Sequence, residues 1–213
     1  MALHIYRNAK GERVPGVTTV ISGNLGWNKQ ALMYWANQQG LDGKHHREVS
    51  QTAADIGTIA HAMVEADLKG KEWRDLVDLQ GVTAVMIGKA EKAYSAWQEW
   101  KSLVNFQLLK SEESLVSEKY NYGGTIDVAM IKNSVCITDL KTSKAVYPDH
   151  KIQLAAYGKL WNANFPRKKV QSYYLLQLGK EDGSFAYHNW PELNNAWKAF
   201  LSLKRLHNLK KTV

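Results

Sequence analysis

The chain has 213 residues, 45% of them hydrophobic, and a formal net charge of +8 from 28 basic and 20 acidic side chains. Such a composition excludes a disordered or fibrous chain and supplies enough apolar surface for one sizeable core. No run approaches the roughly 18–20 apolar residues of a membrane span, and Met1–Arg7 lacks the pattern of a signal peptide, so a cytoplasmic location is expected.

In chain order, a short strand near His4–Arg7 and a turn at Lys10-Gly11-Glu12 open the sequence. Asn28 is placed to cap a helix over Lys29–Gln39 that Gly40 stops and that buries Leu32, Trp35 and Ala36. Gly40–Arg47 reads as a loop. A second helix is expected from Ser50 to Lys69, ended by Gly70, and a third from Thr83 to Leu103 with Val85, Met86, Ala93, Ala96, Trp97 and Trp100 as its apolar stripe. The character then changes. Phe106–Glu118, Gly124–Ile131 and Val135–Lys141 read as consecutive strands, and Pro148-Asp149 starts a helix through Trp161. Strands at Val170–Leu178 and Phe185–Trp190 and a closing helix over Glu192–Leu209 complete the pattern. This order predicts an α/β fold with a mixed central β-sheet flanked by helices and an N-terminal helical extension. We expect one domain over 1–213, with a mainly helical part over 1–80 and an αβββαβ core and C-terminal helix over 81–213. The single Cys136 lies inside a core strand, where it reads as a small apolar residue.

The chemistry concentrates in one hairpin. Lys132-Asn133-Ser134 joins two strands rich in β-branched residues, so Ile131 faces Val135, and counting outward sets Asp127 opposite Asp139. Opposed residues have Cβ atoms roughly 4.5–5.5 Å apart. Like charges that close destabilise a sheet unless one is protonated or a cation lies between them, so the pair points to a divalent ion. Side chains alternate along a strand, which puts Asp139 and Lys141 on one side together with Val135 and Ile137. An isolated D-x-K triplet is weak and usually marks surface charge. The apolar run leading into it, the opposed aspartate, and the pair Gly123-Gly124, which admits close approach of backbone or substrate, strengthen it.

Four ordered stretches, Gly57-Thr58-Ile59-Ala60-His61, Gly124-Thr125-Ile126-Asp127, Asp139-Leu140-Lys141 and Gln153-Leu154-Ala155-Ala156-Tyr157, resemble the PD-(D/E)XK nuclease superfamily. Within it the chain is similar to RecB-type exonucleases, including phage exonucleases and the mitochondrial genome maintenance exonuclease. Pro15–Ile21 followed by Leu32–Ala36 also resembles the N-terminal segment of phage members. The resemblance implies a restriction-endonuclease-like core and hydrolysis of DNA phosphodiester bonds. It implies a metal site built from His61, Asp127, Asp139 and the Leu140 carbonyl, with Asp127, Asp139, Lys141, Gln153 and Tyr157 as catalytic residues. Oxygen ligands suit Mg²⁺ or Mn²⁺, and one imidazole tilts the preference toward Mn²⁺. Some relatives hold an iron–sulfur cluster on four cysteines, which one cysteine cannot provide.

Gly57, His61 and Glu65 share one helical face, the glycine leaving room for a neighbouring element and Glu65 being a candidate to orient the imidazole. Glu113, near the end of the first sheet strand, is a further candidate where family members carry an acid, although Glu112 and Glu118 compete with it. The positive balance suits a polyanionic partner. Lys144, Trp161, Arg167 and Lys168 are candidate nucleic-acid contacts, within a wider set of Lys169, Lys198, Lys204, Arg205, Lys210 and Lys211 interleaved with Tyr173, Tyr174, Trp190 and Trp197. DNA, as single strands or duplex ends, is the expected substrate, and a single-strand-binding or recombination protein a candidate partner. Phage or host recombination, replication or repair would be the setting. A structure-specific endonuclease and a non-catalytic DNA-binding module stay open as alternatives.

Overall fold

A computed structural model describes residues 4–210 and 212–213. Five strands, β3 (Gln107–Ser117), β4 (Tyr122–Ile131), β5 (Val135–Lys141), β6 (Ser172–Leu178) and β7 (Phe185–Trp190), form one sheet in the order of the chain. All neighbours are antiparallel except β5 and β6. Parallel pairing needs a crossover, and helix α5 (Pro148–Asn164) supplies it. The result is a mixed α/β fold with helices on both faces of a mixed sheet, as the element order predicts.

Alternation along the strands divides the core in two. On one face Ile137, Tyr173 and Leu175 pack with α1 (Val17–Ser22), α5 and α6 (Asn194–Leu209). On the other, Val128, Met130, Cys136, Leu140 and Leu176 pack with α3 (His46–Lys69) and α4 (Ala84–Leu103). The Thr83 hydroxyl accepts the Met86 N–H and caps α4, and Gly70, at φ 62°, ends α3 in the left-handed conformation that glycine adopts without penalty. Met86, Ala93, Ala96, Trp97 and Trp100 are buried as expected, whereas Val85 is exposed.

The N-terminal part departs most from the sequence expectations. The expected strand near His4–Arg7 and the turn after it are present, as β1 (Tyr6–Arg7) and the bend that leads to β2 (Arg13–Val14), but β2, the six-residue helix α1 and a 3₁₀ turn at Trp73–Leu76 have too few residues to show a periodicity. Helix α2 (Lys29–Leu41) runs through Gly40, the Asn28 side chain makes no capping bond, and α2 contains no buried residue. Leu32 and Trp35 lie exposed instead of buried, and Ala36 is only half-buried. The expected loop shrinks because α3 begins at His46, four residues before Ser50.

Candidate metal and phosphate site

The β4–β5 ladder has the register counted from the sequence, Ile131 facing Val135 through to Val128 facing Thr138. It stops one pair short of the aspartates. Beyond its end the Leu140 N–H, which would otherwise lack a partner, donates to Asp127 Oδ2 at 2.8 Å. The strand end is thus held by a carboxylate instead of a backbone carbonyl, and the two acids are fixed relative to each other.

Asp127 Oδ2 lies 3.8 Å from His61 Nδ1, and Glu112 Oε1 lies at the same distance from that nitrogen. His61 Nε2 donates to the Leu140 carbonyl at 3.1 Å, leaving Nδ1 directed at the carboxylates. Ligand atoms of His61, Glu112 and Asp127 all fall within 4.8 Å of one another, a spacing that suits a shared cation. Gly57, one turn before His61, lets α3 come close to β5, since a Cβ there would sit 3.3 Å from Thr142 Oγ1.

Asp139 is not in that trio. It is fully buried, its Oδ2 lies 2.6 Å from Lys141 Nζ, and its Oδ1 accepts from Gln153 Nε2 at 3.1 Å. Gln153 also donates to the Tyr157 hydroxyl at 2.9 Å. Helical spacing on α5 explains this, since i and i+4 lie one above the other on the face toward β5. Two adjoining sites result: an acid and imidazole cluster, and a lysine held by a buried carboxylate.

Glu112, not Glu113, faces the cluster, and a bulge is the reason. Leu108 pairs with Met130 but Lys110 with Ala129, so Leu109 is an extra residue. Regular counting would set Ser111 across from Asp127; the shifted pairs Ser111–Val128 and Glu113–Ile126 set Glu112 there. Glu113 instead pairs with Lys110 at 3.4 Å. Glu112 also has φ 50°, a left-handed backbone uncommon outside glycine that costs about 1–2 kcal/mol. Such strain persists where the surroundings enforce it, often at functional sites.

Electrostatics match this crowding. Burial raises the Asp127 pKa above the ordinary carboxylate range, opposed by His61 and reinforced by Glu112. Burial likewise raises Asp139, against the opposing pull of Lys141. For His61, burial lowers the pKa, but Asp127 and Glu112 outweigh it and bring the imidazole up to about 9. Burial also lowers Lys141, yet Asp139 and Asp127 leave its ammonium firmly charged. Burial pushes Tyr157 well above 10, and both aspartates add to the rise, so its hydroxyl remains a donor. Buried acids compensated only by an imidazolium and one lysine form a donor set that a divalent ion fits.

Several expectations need correction. Glu65 accepts from Lys69 at 2.6 Å and does not orient His61. Trp161 is buried, with its N–H bonded to the Lys168 carbonyl at 2.6 Å and its ring 4.3 Å from that of Phe165, so it is a core residue and not a nucleic-acid contact. Tyr173, Tyr174 and Lys204 are buried too, the last donating to Asn208. Arg167, Lys168 and Lys169 are exposed, but they follow the C-terminal end of α5. At 1.5 Å per residue that end lies about 16 Å from Gln153. Lys144 is exposed, three residues after Lys141. The glycine pair admits backbone, as expected, and side chains besides: Gly123 bridges to Gly16 and donates its N–H to the Pro15 carbonyl at 3.0 Å, it lies under the Tyr6 ring, and a Cβ on Gly124 would meet Tyr157 at 2.8 Å. Tyr6, whose hydroxyl lies 2.9 Å from Thr125 Oγ1, ties the N-terminal hairpin to this edge of the site. Neither periodicity nor motif marks it in the sequence.

No family model matches the chain, and no curated protein does either. Among solved structures it resembles a presumed exonuclease from Eubacterium rectale, at 14% identity and a TM-score of 0.47 over 75% of this chain. The match spans 65% of that protein's length. A second likeness, to the protein SSO0001, has 15% identity and a TM-score of 0.34, covering 70% of this chain and 74% of that one. Among the described residues no helix is long and apolar enough to cross a membrane.

Proposed function

We propose that the protein is a divalent-metal-dependent deoxyribonuclease of the RecB-like PD-(D/E)XK type, acting as an exonuclease on DNA ends or single strands. The observation that carries this reading is the adjacency of the His61–Glu112–Asp127 cluster to a lysine ion-paired with a buried aspartate. His61, Glu112 and Asp127 would hold a Mg²⁺ or Mn²⁺ ion beside the Leu140 carbonyl and Asp139. Once bound there, such an ion neutralises phosphate charge and makes a water more acidic.

The protein's own groups do the rest. Asp139 sets the position of the Lys141 ammonium, which meets phosphate oxygens and offsets the charge that builds as water adds to phosphorus. Gln153, bonded to Asp139 and Tyr157, fixes that carboxylate from behind. Hydrolysis forms one bond from water oxygen to phosphorus and breaks one phosphorus–oxygen ester bond; one water proton ends on the departing hydroxyl and the other is released. An ammonium held by a buried acid, next to a cation-binding acid cluster, suits a phosphodiester better than a neutral ester.

The test is degradation of labelled linear and circular DNA with Mg²⁺, Mn²⁺ or EDTA. Metal-dependent loss of linear DNA that falls at least 100-fold in Lys141→Ala and Asp127→Asn, both with unchanged circular dichroism, is the expected result. Equal activity in Asp139→Ala protein would refute the assignment, and destruction of circles would make the enzyme an endonuclease.

A further inference from the structure

Beside Gln153 lies an open cavity of about 460 Å³ bordered by α1, the start of α2 and the first turns of α5. Its volume is in the range of pockets that hold a small organic ligand, roughly 300–1,000 Å³. Ile21 and Leu25, both nearly buried, and the exposed Leu32 give it apolar walls. Asn28, Ser22 and Asp149 bring an amide, a hydroxyl and a carboxylate to the same space. A flat apolar ring edged with donors and acceptors is complementary to such a lining.

The position narrows the occupant further. Gln153 lines the cavity and also donates to Asp139, the partner of Lys141. Whatever enters is therefore separated by the Gln153 side chain from the Asp139–Lys141 pair assigned to the phosphate, within the reach of a base from its own phosphate. We infer that this pocket receives the unpaired nucleobase adjoining the scissile phosphate, so that the strand is cleaved only where that base is free of a duplex. The inference rests on the nuclease reading and adds a substrate class to it. A stacked, paired base would have to be extruded at a cost of unstacking and unpairing, whereas a single strand offers its base directly. Ser22 and Thr18 are exposed at the rim, so the cavity is open to an entering chain.

The experiment is a binding measurement in EDTA that needs no hydrolysis. Fluorescence anisotropy with short single-stranded oligonucleotides, each lacking one base at a successive position, reads the base dependence of Kd for wild type, Ser22→Trp and Leu32→Ala. Wild type is expected to bind the intact oligonucleotide about tenfold more tightly than one lacking the base at a single position. In Ser22→Trp, whose indole fills the cavity from the rim, that ratio falls to near one. Should this variant lose its cooperative melting, Leu32→Ala removes one wall and lowers the ratio at least threefold. A folded Ser22→Trp protein with the full ratio, or a wild type indifferent to every missing base, overturns the pocket. Base-dependent binding without cleavage in Mg²⁺ or Mn²⁺ would instead overturn the nuclease reading and leave the pocket standing.

Discussion

At the scale of single residues, His61 and Glu112 are the most informative groups. The folded His61 pKa of about 9 exceeds the 6.5 of an unstructured imidazole. Its contribution to stability is therefore complete below pH 6.5 and disappears as the pH rises to about 9. Below pH 9 a cation must also displace that proton. We expect NMR in EDTA to show the His61 imidazole titrating near 9, Glu112→Gln to lower that value, and Mn²⁺ affinity to rise with pH up to about 9. An ordinary value near 6.5 would mean that the carboxylates do not face the ring. Glu112→Gly separates strain from function: it relieves the left-handed backbone, so Tm should hold or rise by a few degrees, while Mn²⁺ affinity falls at least tenfold.

Elements decide which of these residues meet. The β4–β5 hairpin was legible because its loop length sets a register and its side chains alternate, and α5 because Gln153 and Tyr157 stand one turn apart. Glu112 was not, because one extra residue at Leu109 reverses the parity of everything after it in β3. Parity is a period-two argument, and a bulge leaves no mark in composition. Helix α2 misled for another reason: its leucine and tryptophan spacing matches an amphipathic helix, but no neighbouring element packs closely enough to bury that face. Two substitutions test the packing seen here. Gly123→Ala drives a methyl into Tyr6 and should cost about 1–3 kcal/mol, detaching the N-terminal hairpin; equal melting temperatures would show that Tyr6 does not lie over that glycine. Thr83→Ala removes the cap of α4 and should cost about 1 kcal/mol in chemical denaturation.

For the molecule as a whole, crowded acids in a protein of net charge +8 make stability sensitive to cations. An ion that binds the folded chain alone stabilises it by about 2.7 kcal/mol at a hundred times its Kd. Differential scanning fluorimetry should show Tm rising with Mn²⁺ and returning with EDTA, and Asp127→Asn should abolish the rise. The same charge is spread unevenly, since Arg167, Lys168 and Lys169 stand at the far end of α5 from the acid cluster. Salt dependence of the proposed DNA binding is therefore expected to include contributions remote from the site.

Helix α2 leaves a mark of its own on solution behaviour. Thirteen residues long and without one buried side chain, it gains little from packing beyond the edge contact of Trp35 with His46 and depends mainly on its own backbone ladder. Its amide protons should exchange with deuterium far sooner than those of α4, and a dilute protease should nick the chain there before anywhere else on the sheet-bound elements.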